Sequence, residues 1–149
     1  MFLWSLEAES LPRQTLSPQD TLEELSHLKR YAIVIGTGPK EVHTFIDPYC
    51  SFSQKYLEYL YEHDGAMLKK YTVYLYLYEL KRKNSAEAIN AILNSQYRES
   101  LLKQVMLNHD EVSSQSDDGN EKTLEAIKVS AEKIGVFKRP YIIINGKAL

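Results

Sequence analysis

The stretch Phe45-Ile46-Asp47-Pro48-Tyr49-Cys50-Ser51-Phe52-Ser53 joins an apolar, strand-like run to a helical pattern, and it decides how the rest of the chain is read. Cys50 is the only cysteine among the 149 residues. A thiol at a strand-to-helix junction faces the free N–H groups and partial positive charge of the helix start, which favour its thiolate form. Ser53 stands three residues on, where a second cysteine would complete a Cys-x-x-Cys pair. The chain offers a nucleophile without a partner thiol. The plainer alternative is that Cys50 is a small buried hydrophobe.

Upstream, Val42 to Ile46 and Tyr31 to Ile35 are rich in β-branched and aromatic residues, with a turn composition at Gly36-Thr37-Gly38-Pro39-Lys40 between them. This predicts a hairpin leading into the cysteine loop. Before it, Ser17 and Pro18 read as N-cap and first residue of a helix, with Leu22, Leu25 and Leu28 as a narrow apolar stripe ending near Lys29-Arg30. The stripe serves either for docking on its own domain or as a linker helix. Residues 1–16 show no period and read as an arm.

Downstream, Tyr56, Leu57, Leu60 and Tyr61 recur at helical spacing, with Gly65 as the stop. Residues 71–78 alternate, Val73, Leu75 and Leu77 against Tyr74, Tyr76 and Tyr78, as in a strand covered on both faces. Residues 84–108 read as helix broken near Asn94-Ser95, with Ser95 as cap of the second half. Residues 113–119 form a polar stretch expected to be a mobile loop. Leu124, Ile127, Ala131 and Ile134 then make a helical stripe closed by Gly135, and residues 141–144 a short strand ended by the Asn145-Gly146 turn signal. Strands alternate with helices, which predicts an α/β fold with a central sheet flanked by helices.

Composition narrows the function. A formal net charge of −2 gives no electrostatic reason to expect nucleic acid or an anionic membrane. The densest basic cluster, Lys81-Arg82-Lys83, reads as a solvated loop. One cysteine excludes an internal disulfide and a multi-cysteine zinc site. His27, His43, His63 and His109 are widely spaced and read as surface or supporting residues, so no metal or organic cofactor is implied. No stretch approaches the ~20 apolar residues of a membrane span. Met1-Phe2-Leu3-Trp4 is too short for a secretory signal and lacks a basic flank. Either the protein is cytoplasmic or an export signal lies outside this chain.

Four features together resemble the thioredoxin fold, and within it the catalytic domain of the bacterial periplasmic disulfide isomerases (the DsbC/DsbG branch). They are the Phe-x-Asp lead into Cys50, the helix continuing through Gln54-Lys55-Tyr56-Leu57, the Tyr74-Leu75-Tyr76 strand followed by a helical insert, and Gly135-Val136-Phe137-Lys138-Arg139-Pro140 running into a strand and Asn145-Gly146. The resemblance covers about residues 30–147. It implies a thioredoxin-like domain over 30–149, preceded by an N-terminal arm and linker helix over 1–29, with a helical insertion at about 84–108. It implies that Pro140 is a cis-proline beside Cys50 and that the loop receives an extended peptide.

The chain departs from that pattern at three places. Ser53 replaces the second cysteine, either as the protein's own residue or as a substitution that traps a mixed disulfide. Arg139 precedes Pro140 where a small residue is common; its cation would stabilise the thiolate or project outward and reshape the groove. The family's last strand and closing helix are expected to be absent. Tyr49 and Phe52 either line a shallow peptide groove or pack inside, and Asp47 either tunes the thiol or caps the loop. By resemblance the function is thiol–disulfide interchange on exported, thiol- or disulfide-containing proteins in the periplasm. Cys50 is then the nucleophile, Ser53 stands at the lost resolving position, and Pro140, Arg139, Tyr49 and Phe52 bind substrate. A membrane redox partner and a homodimer through the N-terminal region belong to the same expectation. The competing reading is a non-catalytic peptide-binding or assembly module of a cell-envelope complex.

Overall fold

The computed structural model describes residues 14–113 and 119–149. The expected arm therefore lies mostly outside the described residues, as do positions 114–118 of the expected polar loop. The first helix, α1 (Pro18–Leu28), starts as its sequence predicts: the Ser17 hydroxyl accepts from Asp20 N–H at 3.1 Å and Pro18 occupies the first turn. Strands β1 (Ile33–Ile35) and β2 (Lys40–Ile46) follow. Helix α2 (Ser51–Lys70) then leads to β3 (Tyr71–Leu77). Helices α3 (Ala86–Asn94), α4 (Arg98–Met106) and α5 (Glu121–Ile134) precede β4 (Tyr141–Ile144) and β5 (Lys147–Ala148).

The expected hairpin is not formed. Strand order is β1-β3-β2-β4-β5, so β3 inserts between β1 and β2, antiparallel to the first and parallel to the second. The cause is a close backbone crossing. Thr37 N–H donates to Leu68 O at 2.8 Å, and a Cβ at Gly38 would run into the Lys70–Tyr71 peptide. The glycine turn passes over the end of α2 and delivers β2 to the far side of β3. Helix α2 is itself interrupted at Gly65, the expected stop, and then resumes: His63, Asp64 and Gly65 all take positive φ.

The two sheet faces divide the core. Val42, Ile46, Val73 and Leu75 pack with α2, α3 and α4 on one side. Phe45, Tyr76, Tyr141 and Ile143 pack on the other with Leu25 and Leu28 of α1 and Ile127 and Ala131 of α5. The tyrosine face of β3 is therefore largely core. Its partner in the sheet, His43, is buried and stacked on Tyr74, with ring centroids 4.8 Å apart, which corrects its reading as a surface residue. The helical insert breaks at residues 95–97. Ser95 there accepts from Tyr97 N–H at 2.9 Å and makes a local turn, while the cap position of α4 falls to Tyr97.

At the far end, Gly135 closes α5 with φ 95° and donates to Ala131 O. The last strand, expected to be missing, is present. Asn145 and Gly146 take φ of 54° and 80°, and this tight turn folds β5 back onto β4, with Leu149 N–H donating to Ile142 O. No helix among the described residues is long and apolar enough to cross a membrane.

Candidate active site

The loop between β2 and α2 is organised by Asp47, which is fully buried. Its Oδ1 accepts from Tyr49 N–H at 2.8 Å. Its Oδ2 accepts from Leu80 N–H at 2.6 Å and from the Ser85 hydroxyl at 3.0 Å. One carboxylate thus ties together the cysteine loop, the exit of β3 and the start of the helical insert. Of the two roles expected for Asp47, these bonds are those of a cap and tether. Its own N–H donates to Ser53 Oγ at 3.2 Å, so Ser53 is buried and bonded back into the loop.

Cys50 follows as the N-cap residue of α2, in extended conformation, with its N–H donating to Asp47 O at 3.0 Å. Its sulfur therefore sits at the positive end of the helix. The Sγ–H donates to Arg139 O at 3.6 Å, which brings the proline loop against the thiol from 89 residues away. The Arg139–Pro140 bond is cis. Cys50 is only 4% exposed, yet it lines an open groove together with Pro140 and Arg139.

Arg139 does not project outward. Its Nε donates to Tyr78 O at 2.7 Å and its Nη2 to Glu79 O at 3.2 Å, with the guanidinium 3.9 Å from the Tyr78 ring centre. Burial pulls its pKa below the ordinary value, opposed in turn by Tyr78, Asp47 and Cys50. The side chain clamps the proline loop to the exit of β3, while its carbonyl meets the thiol.

The groove measures about 980 Å³. Val42, Val73, Ile142 and Ile144 form its floor, and Tyr56 and Leu60 of α2 one wall. The Tyr56 hydroxyl bonds Thr44 Oγ1 at 2.7 Å, and burial pushes its pKa up to about 12, so it is a fixed neutral wall. Phe52 of α2 and Phe137 of the proline loop also line the groove, 68% and 46% exposed. Tyr49 is placed differently: it packs half-buried against the core on the side of the helical insert, and burial raises its pKa, with Glu111, Glu87 and Asp47 adding to the effect. Sequence reasoning missed Phe137, Lys138, Lys55 and Arg82, all of which line the groove. The basic cluster is exposed at Lys81 and Arg82, in keeping with its reading as solvated, and forms a 3-10 turn from which Arg82 also lines the groove. Among the described residues no group of His, Cys, Asp or Glu could hold a metal ion.

A sheet of this order, a cysteine heading the helix after β2 and a cis-proline loop against it make this a thioredoxin-fold protein with a helical insertion. Comparison with solved structures agrees. The catalytic domain of Proteus mirabilis ScsC superposes with a TM-score of 0.70 at 19% identity, covering 90% of this chain and 89% of that one. ScsC in a transitional conformation gives 0.73 at 17% identity, covering 100% and 78%. MdbA, a thiol-disulfide oxidoreductase from Corynebacterium diphtheriae, gives 0.59 at 18%, covering 82% and 85%. No protein-family model and no curated protein sequence matches the chain.

Proposed function

We propose that the protein performs thiol–disulfide interchange on exported protein substrates in the periplasm, with Cys50 as its single nucleophile. The observation that carries this reading is the placement of Cys50 Sγ at the head of α2, 3.6 Å from the proline-loop carbonyl, in the lining of an open groove. The likeness in fold to MdbA supports the class of chemistry. The Cys50 thiolate attacks one sulfur of a substrate disulfide. A Cys50–substrate disulfide forms, the substrate bond breaks, and the released thiolate takes up the proton Cys50 gave to solvent. A second substrate thiolate then attacks the mixed disulfide, re-forms a substrate disulfide and frees Cys50. The cycle is redox-neutral and rearranges disulfides, which a lone thiol can do. Net reduction would need an external thiol, because the Ser53 hydroxyl cannot resolve the intermediate.

The test is reactivation of scrambled ribonuclease, with non-reducing gels to detect the mixed disulfide. The intact chain is expected to speed recovery and to form a trapped adduct, and Cys50→Ala to lose both. The burial of Cys50 favours one rival, a module that holds peptides without chemistry. An intact chain as inert as Cys50→Ala, with peptide binding retained, would establish that rival instead.

A further inference from the structure

The charged side chains that line the groove beside Cys50 are all basic. Lys55, Arg82, Lys138 and Arg139 line it, and no Asp or Glu side chain does among the described residues; the one acidic group near them is the main-chain carboxylate of Leu149, which also lines the groove. The chain as a whole has 18 basic and 20 acidic residues, so this separation is not inherited from composition. Arg139 is committed to the carbonyls of Tyr78 and Glu79. Lys55, Arg82 and Lys138 are exposed, and none is in an ion pair among the described residues. They come from the second turn of α2, the 3-10 turn after β3 and the proline loop, three segments that meet at the groove Cys50 lines. The helix start adds its own partial positive charge. Beneath them the floor of Val73, Ile142 and Ile144 is apolar, which strengthens the field over the groove.

We infer that this groove selects an extended polypeptide segment bearing acidic side chains next to its reacting sulfur and apolar side chains beyond it. The carboxylates meet Lys55, Arg82 and Lys138, and the apolar groups lie between Phe52 and Phe137 and on the strand floor. This inference names the substrate class of the thiol–disulfide reading and rests on it. The net charge of −2 works against an acidic ligand at long range, so any preference for one comes from the groove itself.

The test uses three end-blocked peptides, each with a pyridyl-activated cysteine disulfide and the same leaving group. The cysteine is flanked by glutamates, glutamines or lysines and then by leucines. On the full chain, the glutamate peptide is expected to release pyridine thione about tenfold faster than the lysine peptide at low salt. The gap should close towards unity near ~1 M salt. Reversing all three charges (Lys55→Glu, Arg82→Glu, Lys138→Glu) should invert the order, and each single reversal should narrow it. Equal rates, a faster lysine peptide, or a preference indifferent to the reversals overturns the inference. If Cys50 reacts with none of the peptides, the catalytic reading fails by itself. Fluorescence anisotropy with serine-for-cysteine peptides then still decides charge selection. A second copy of the chain in the groove would appear as self-association by sedimentation that competes with the acidic peptide, and would also overturn it.

Discussion

Asp47 shows how much one buried side chain decides at this site. Its carboxylate accepts from two backbone N–H groups and the Ser85 hydroxyl, spanning three segments. Removing it leaves buried donors without partners, and each such loss costs about 1–3 kcal/mol. Asp47→Ala is therefore expected to lower unfolding free energy by about 3 kcal/mol in urea titrations. Asp47→Asn should recover part of this, because one amide oxygen remains to accept from Tyr49. An Asp47→Ala midpoint within error of the parent would mean that solvent or neighbours replace all three bonds. The sequence made Asp47 visible as a loop cap because an Asx turn is a local device. It did not reveal Leu80 and Ser85 as the other partners, since these lie 33 and 38 residues away. The same limit hid the cationic rim: Lys55, Arg82 and Lys138 look like scattered surface charge until folding gathers them.

At the scale of elements, signals within one helix or turn were readable and pairings between strands were not. Ser17-Pro18 and Gly135 mark helix ends through bonds made within four residues. The pairing of β1 depends instead on the glycine turn crossing the end of α2, which no local pattern encodes. The burial of His43 follows from that pairing, because β2 and β3 run in register with His43 beside Tyr74. His43 Nδ1 shares a hydrogen bond with the Tyr76 hydroxyl at 2.8 Å, and Nε2 lies 3.3 Å from Glu41 Oε1. The neutral ring protonated at Nε2 satisfies both. Burial holds the His43 pKa below its ordinary value, Glu41 opposing through its hydrogen bond and charge and Lys29 adding to the depression. The unfolded chain, at about 6.5, therefore takes up a proton before the native state does. Stability is then full above about pH 6.5 and falls on acidification towards the depressed native pKa, by at most about 1.4 kcal/mol per pH unit. Glu41, itself held low by Lys29, contributes only in the more acidic carboxylate range. Urea midpoints at pH 7.5 and 5.5 should differ in the parent and converge in His43→Gln. Equal slopes in both would assign the acid sensitivity elsewhere.

For the molecule as a whole, the open question is whether α1 is a linker or part of the domain. Its contacts point to the second. Leu25 and Leu28 are buried with Ile127 and Ala131 of α5, and the Ser130 hydroxyl donates to Glu24 Oε2 at 2.6 Å. The segment before α1 is fastened to the opposite end of the chain. Gln14 Nε2 donates to Gly146 O at 2.6 Å, and its Oε1 accepts from Ala148 N–H at 2.8 Å, so the glutamine occupies the outer edge of β5. A Cβ at Gly146 would strike the Pro18 carbonyl, so the β4–β5 turn is also shaped to receive the start of α1. The tyrosine-rich sheet face would lose its cover on one side without this helix. Truncating a buried leucine costs about 2–5 kcal/mol, against a total stability of about 5–15 kcal/mol for a domain. Leu28→Ala is accordingly expected to shift the single urea transition of the whole chain by that amount, and a chain beginning at residue 30 to lose cooperative unfolding. If α1 is only a linker, Leu28→Ala leaves the midpoint in place and the shortened chain unfolds as the parent does. Because the shortened chain could fail by aggregation alone, the leucine variant, made in the whole chain, carries the decision.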